Sequence, residues 1–245
     1  MNTEERQHEQ ELARVRTQRA ARQRQQKKHH RRRWLIGGGV ALVAVVALAA
    51  WQVVRLSTPA KVDLSAIVCP DWIDQQLLDI DGQSRDGRAL EQVNAIAIHY
   101  VGNPGSTAIA NRNYFNKPDV DVSSHFIVGL DGEVVQCIPL NERAVATNDR
   151  NGDTIAIEVC HPDDTGKFSD KTYASLIKLT AWLCEQLHLD GQDLIRHYDV
   201  TGKLCPLYYV EHEDAWTQLK NDVDTRIVAD ASAKECTYFK RPMTF

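Results

Sequence analysis

"AIAIHYVG", residues 95–102, and its echo "TIAIEVC", residues 154–160, decide the fold. Successive side chains of a strand point to opposite faces of a sheet. Ile96 and Ile98 therefore share one face, and Ala95, Ala97 and His99 share the other. The second stretch repeats the design, with Ile155, Ile157 and Val159 opposite Ala156 and Glu158. The Ile faces suit packing against a helix. The Ala faces leave room above the sheet, and each ends in a functional side chain, His99 or Glu158. They read as the floor of a cleft.

Outward from these strands the pattern stays mixed. "HFIVGLDGEVVQCIPL", 125–140, places two β-rich runs around Asp131-Gly132, a hairpin signal. "SDKTYASLIKLTAWLCEQLHL", 169–189, carries a stripe of Tyr173, Leu176, Ile177, Thr180, Leu183 and Leu187 at helical spacing, with Ser169 as its N-cap. A further helix is expected in "EHEDAWTQLKNDVDTRIV", 211–228. Strands interspersed with helices predict an α/β domain with a mixed central sheet and flanking helices. We place it at residues 88–222. Residues 55–87, with Pro59, Pro70 and the polar run "DGQSRDGR", read as linker and lead-in, and 223–245 as a C-terminal extension.

Charge divides the chain. Residues 1–33 hold eleven Lys/Arg against four Glu, a net of +7, so the remainder carries −11 of the total −4. Between the two lies "WLIGGGVALVAVVALAAWQVV", 34–54, which has no charge and one polar side chain, Gln52. Helical residues rise 1.5 Å each, so this stretch spans roughly 30 Å, the thickness of a bilayer core. We expect a single transmembrane helix, with Trp34 and Trp51 near its ends. Arg31, Arg32 and Arg33 directly precede it, which puts the N-terminus in the cytoplasm and the domain outside. Ala47-Leu48-Ala49 offers a cleavage site, but more than thirty residues before the apolar stretch is too many for a signal peptide, and an uncleaved anchor is preferred. The basic tail reads as a topology signal and a contact for anionic lipid rather than for nucleic acid. Six cysteines on an oxidising side permit disulfides, whose pairing spacing does not fix. Cys184 falls in the apolar helix face.

The chemistry concentrates in "RHYDVTGKLCP", 196–206. Asp199, Gly202 and Pro206 mark it as a loop, where reactive side chains are usually displayed. Zinc takes imidazole and thiolate, and a catalytic site uses three protein ligands. His99, His197 and Cys205 supply His, His and Cys. The gap between His197 and Cys205 is too long for a zinc-finger knuckle and suits two ends of a loop closing on one ion. Such an ion brings the pKa of water from about 15.7 toward ~7. Amide hydrolysis then needs a base, for which Glu158 is placed, and a cation for the oxyanion, for which Lys203 is placed. Taken singly, each residue has a plainer role: a strand-end histidine on a carbonyl, a surface carboxylate, a solvated lysine. His161 and Cys160 are adjacent on a strand, point to opposite faces and are discounted as a second site.

Four stretches, "AIAIHYVGNPGSTAIANRNYF", "VSSHFIVGLDGEVVQCIP", "DTIAIEVCHPDDTGKF" and "IRHYDVTGKLCP", resemble the zinc-dependent N-acetylmuramoyl-L-alanine amidases of the type 2 amidase and peptidoglycan recognition protein family, most of all Gram-positive autolysins and prophage endolysins. The resemblance covers roughly residues 86–220. It implies a peptidoglycan substrate and Zn2+ held by His99, His197 and Cys205. It also implies Glu158 as base or water-orienting group and Lys203 as the support of the tetrahedral intermediate. His125, Asn103 and Ser124 are expected to contact substrate or support the ligands. Some phage members carry a catalytic Tyr where this chain has Ser124, which shifts weight onto Glu158. The alternative is a wall-binding recognition module without activity. Such modules typically lack the Cys ligand, and Cys205 is present here.

Overall fold

The computed structural model describes residues 62–80 and 83–239, with side chains through residue 234. The basic tail at 1–33 and the span expected at 34–54 lie outside the described residues. Among the described residues no helix is long and apolar enough to cross a membrane.

The six strands are β1 (Ile73–Gln75), β2 (Ala95–Tyr100), β3 (Phe126–Val128), β4 (Val134–Gln136), β5 (Thr154–Val159) and β6 (Leu194–Arg196). They form one sheet in the order β1-β4-β3-β5-β2-β6. All neighbours run parallel except β3 and β4, the predicted hairpin, so the sheet is mixed. Gly132 turns that hairpin at φ +86°, a conformation that favours a residue without Cβ.

Helices cover both faces. Ile96, Ile98, Ile155 and Ile157 are fully buried in one cluster with Leu176, Leu179 and Leu183 of α2 (Asp170–Leu187) and with Leu219 and Val223 of α5 (Glu213–Phe239). The Ile faces thus do what their bulk predicts. Cys184 is buried in the same cluster. Ser169 caps α2, accepting the Thr172 N–H, and His188 ends it in the left-handed region at φ 58°. The Tyr173 hydroxyl donates to Asp222 at 2.7 Å and ties α2 to α5. On the opposite face Ile127 and Val135 pack with Ala108 and Phe115 of α1 (Ala108–Phe115). α3 (His197–Thr201) is a short helix within the stretch 196–206 read as a loop, and α4 (Leu207–Glu211) follows directly after it.

Two boundaries differ from the sequence reading. Residues 62–87, read as part of the lead-in, supply edge strand β1, and Leu64, Ile73 and Leu78 are buried in the clusters of the domain itself. The segment is too polar to announce a strand, yet its apolar residues are spaced to reach the sheet edge. At the other end, α5 runs without a break through residue 223, and Val223 is fully buried, so the domain extends past 222. The five described cysteines, Cys69, Cys137, Cys160, Cys184 and Cys205, are thiols.

Candidate active site

The site lies at the carboxyl ends of three adjacent parallel strands, the usual place for ligands in open α/β sheets. Register brings its residues together. His99 pairs with Glu158 between β2 and β5, and Ile98 pairs with Arg196 between β2 and β6. His197, the next residue after Arg196, therefore arrives beside His99. Paired residues of parallel strands point to the same face, so His99 and Glu158 rise together.

Cys205 comes back to the strand ends through a turn. Gly202 ends α3 at φ +77°, and the Tyr198 N–H donates to the Cys205 carbonyl at 3.1 Å, closing the loop. Arg196 anchors its base. Its buried guanidinium donates to Asp199 at 2.8 Å, to Glu213 at 2.6 Å and to the Tyr209 carbonyl at 2.9 Å.

The donor atoms of His99, His197 and Cys205 lie within 4.8 Å of one another, and all three residues are buried. His99 Nδ1 is 3.7 Å from Cys205 Sγ. A tetrahedral ion with Zn–N near 2.0–2.1 Å and Zn–S near 2.3 Å needs an N···S separation of roughly 3.6 Å. The outer nitrogens are occupied: His99 Nε2 meets Thr147 Oγ1 at 3.2 Å, and His197 Nε2 meets Asn148 Oδ1 at 2.7 Å. Two nitrogens and a sulfur, with the far side of each ring held, is a donor set that fits zinc.

Electrostatics agree with that use. Burial brings His99 down to about 3, with the His197 ring and Lys203 adding to it, so the imidazole is neutral. His197 is lowered by burial and then by Lys203. A neutral imidazole is the form that binds a metal. Burial pushes the Cys205 thiol up to about 12, with the Glu158 charge adding, so the sulfur becomes an anion there only beside a cation. Burial also raises Glu158 to about 8, opposed by Lys203, and its Oε2 is buried without a hydrogen-bond partner.

These residues line a cleft of about 630 Å³, with Glu158 and Lys203 beside the His–His–Cys cluster. Asn111 and Tyr114 of α1 line it farther along, and so does Asn103. The size suits a drug-sized or small oligomeric ligand. Ala97 and Ala156 are fully buried and do not line it, so the small face opens only at its end, at His99 and Glu158.

His125 and Ser124 are held elsewhere. Both are fully buried and outside the cleft lining. His125 Nδ1 accepts the Ala156 N–H at 3.0 Å, and its Nε2 donates to the Glu142 carbonyl at 2.9 Å. Both ring nitrogens thus serve the main chain. The Ser124 hydroxyl donates to the Phe126 carbonyl at 2.8 Å. His161 Nδ1 bonds the Asp163 carbonyl at 2.7 Å and its ring packs on Tyr100, outside the cluster and the cleft lining. The sequence reading missed the contacts of Thr147 and Asn148 and the α1 wall. Thr107, which caps α1 by accepting the Ala110 N–H, was the one local signal for that helix.

The sequence profile of the N-acetylmuramoyl-L-alanine amidase family, type 2, matches residues 89–208. The chain is similar to the N-acetylmuramoyl-L-alanine amidase CwlL of Bacillus licheniformis, at 29% identity over 62% of this chain and 46% of CwlL. It is similar also to BlyA of Bacillus subtilis, at 29% identity over 64% of this chain and 48% of BlyA. The chain thus spans about half the length of the curated relatives it matches. Among solved structures, the catalytic domain of XlyA superposes with a TM-score of 0.54 at 29% identity, covering 62% of this chain and 98% of that domain. On sequence and fold alike, the domain built around residues 89–208 belongs to the type 2 N-acetylmuramoyl-L-alanine amidase family.

Proposed function

We propose that the chain is a zinc-dependent peptidoglycan hydrolase, tethered to a membrane, that cleaves the amide between N-acetylmuramic acid and the L-alanine of the stem peptide. The observation that carries this reading is the meeting of His99, His197 and Cys205 with Glu158 and Lys203 in one cleft. A zinc ion held by the two histidines and the cysteine would supply Lewis acidity, polarising a carbonyl and making a water acidic near neutral pH. Glu158 takes the proton of the attacking water and passes it to the departing nitrogen of L-alanine as the C–N bond breaks. That leaves a free amine on the peptide and a carboxyl on the lactyl group. Lys203 holds the negative charge that develops on the carbonyl oxygen. Asn103 contacts the muropeptide along the cleft.

Purified chain incubated with peptidoglycan should release new N-terminal L-alanine amines, and a chelator should stop the release until zinc is restored. Binding to peptidoglycan without new amines would instead make it a recognition module.

The anchor rests on sequence: an uncharged apolar stretch at 34–54 preceded by a basic tail. The N-terminus lies in the cytoplasm, the tail touches anionic lipid, and the domain works at the outer face of the cell membrane. A reporter fused after Phe245 should be active only outside the cytoplasm. A soluble mature chain starting near Ala50 would replace the anchor with a cleaved signal.

A further inference from the structure

Two hydrogen bonds at the cluster take no part in the chemistry above. They come from consecutive residues. Thr147 Oγ1 meets the outer nitrogen of His99 at 3.2 Å, and Asn148 Oδ1 meets the outer nitrogen of His197 at 2.7 Å. An amide oxygen only accepts, so His197 carries its proton on Nε2 and leaves Nδ1 with the lone pair. For His99 the nitrogen facing Cys205 is likewise Nδ1. The rings stand 4.9 Å apart at 65°.

The loop that delivers this pair is tightly built. Asn151 Oδ1 accepts the N–H groups of Ala146 at 3.0 Å and Thr147 at 2.6 Å. Arg150 and Asn151 then donate back to the carbonyls of Thr147 and Asn148. Asn148 is the odd member. It is exposed, so the core has no use for it, and its φ is 53°, in the left-handed region that glycine enters without cost and Asn or Asp enters at a small one. Backbone preference alone would favour glycine there. The side chain that the position carries instead is spent on His197.

We propose that Thr147 and Asn148 are positioning residues that orient His99 and His197, Asn148 also selecting the His197 tautomer, so that two Nδ1 atoms and one sulfur are presented together to the metal. This rests on the zinc reading given above.

The test uses the full-length chain and separates metal binding from folding. Zinc affinity is measured by chelator competition, and cobalt(II) is substituted to read its ligand-field and thiolate charge-transfer bands. Asn148→Gly removes the acceptor while relieving the backbone. It should melt, metal-free, at or above the wild-type temperature, yet bind zinc about 10- to 100-fold more weakly with altered cobalt bands. Asn148→Asp keeps an acceptor and tolerates the left-handed backbone, and should keep affinity within a few-fold. Thr147→Ser should likewise hold affinity, and Thr147→Val should lose about tenfold or more. The proposal is overturned if Asn148→Gly keeps wild-type affinity and bands. It is equally overturned if Asn148→Asp fails to rescue and both variants lose metal-free stability, because the residue is then merely structural. If the wild-type chain binds neither zinc nor cobalt, the metal reading itself falls and the positioning role falls with it.

Discussion

Glu158 is a carboxyl group that burial pushes toward neutrality, while Lys203 pulls it back toward charge. If Glu158 is the base, Glu158→Gln should keep zinc and peptidoglycan binding while turnover falls on the order of 10²-fold or more. Lys203→Ala should behave similarly through the oxyanion. The pair also carries a signed pH effect. Activity requires the carboxylate, so the rate rises with pH through the Glu158 pKa. Lys203 lowers that pKa, so Lys203→Ala should move the acid limb of kcat/KM to higher pH. A limb that stays in place would show that Lys203 does not act on Glu158. Much of this site was legible because its residues sit where patterns break: His99 and Glu158 end alternating strands, and Lys203 and Cys205 follow a loop glycine. His125 looked equally eligible from sequence. Its ring was needed instead at a gap in the sheet ladder, on the Ala156 N–H and the Glu142 carbonyl, which only strand register reveals. Thr147 and Asn148 gave no signal, since two polar residues in a loop resemble any others until the rings they hold are placed.

At the scale of elements, the site depends on how firmly three strands are pressed against α2 and α5. Leu183 is fully buried in that layer. Leu183→Ala should destabilise the domain by about 2–5 kcal/mol in denaturant unfolding, while the folded fraction keeps its metal affinity. A loss of affinity without loss of stability would mean that the helix layer shapes the site directly. The strong elements were readable for the same reason that they are strong. β2, β5 and α2 each carry a periodic apolar face, and period is what a sequence displays, while the hairpin declares itself through its Asp131-Gly132 turn. β1 and β6 are three residues each, too short to show alternation, and are held by neighbours on the sheet. α1 has only eight residues, with Asn111 and Tyr114 given to the cleft, so little apolar stripe remains to announce it.

At the scale of the molecule, the segment before β2 is stitched to the loop after β4 by two crossed ion pairs. Arg85 reaches Glu142 at 2.7 Å, and Arg143 reaches Asp86. The Arg143 hydrogen bond holds the Asp86 carboxyl below its ordinary value near 3.8, against an opposing effect of burial. A depressed folded pKa contributes stability above the unfolded value, and that stability is lost as pH falls through the folded one. Asp86→Asn should therefore cost about 1 kcal/mol at pH ~7, and the difference from wild type should shrink toward zero in acid. Unfolding curves at both pH values check it, and a penalty that persists in acid would assign the loss to packing.

His99 and Cys205 are separated by 106 residues along the chain, and their donor atoms approach to 3.7 Å. A metal bridging them would close most of the domain into a ring and would favour the folded chain, in which alone the two atoms meet. Mass action then couples supply to survival: a ligand at 100 times its dissociation constant adds about 2.7 kcal/mol to the folded state. If that metal is zinc, the melting temperature of this domain should climb with the logarithm of free zinc, and the protein should last for less time in a zinc-poor medium.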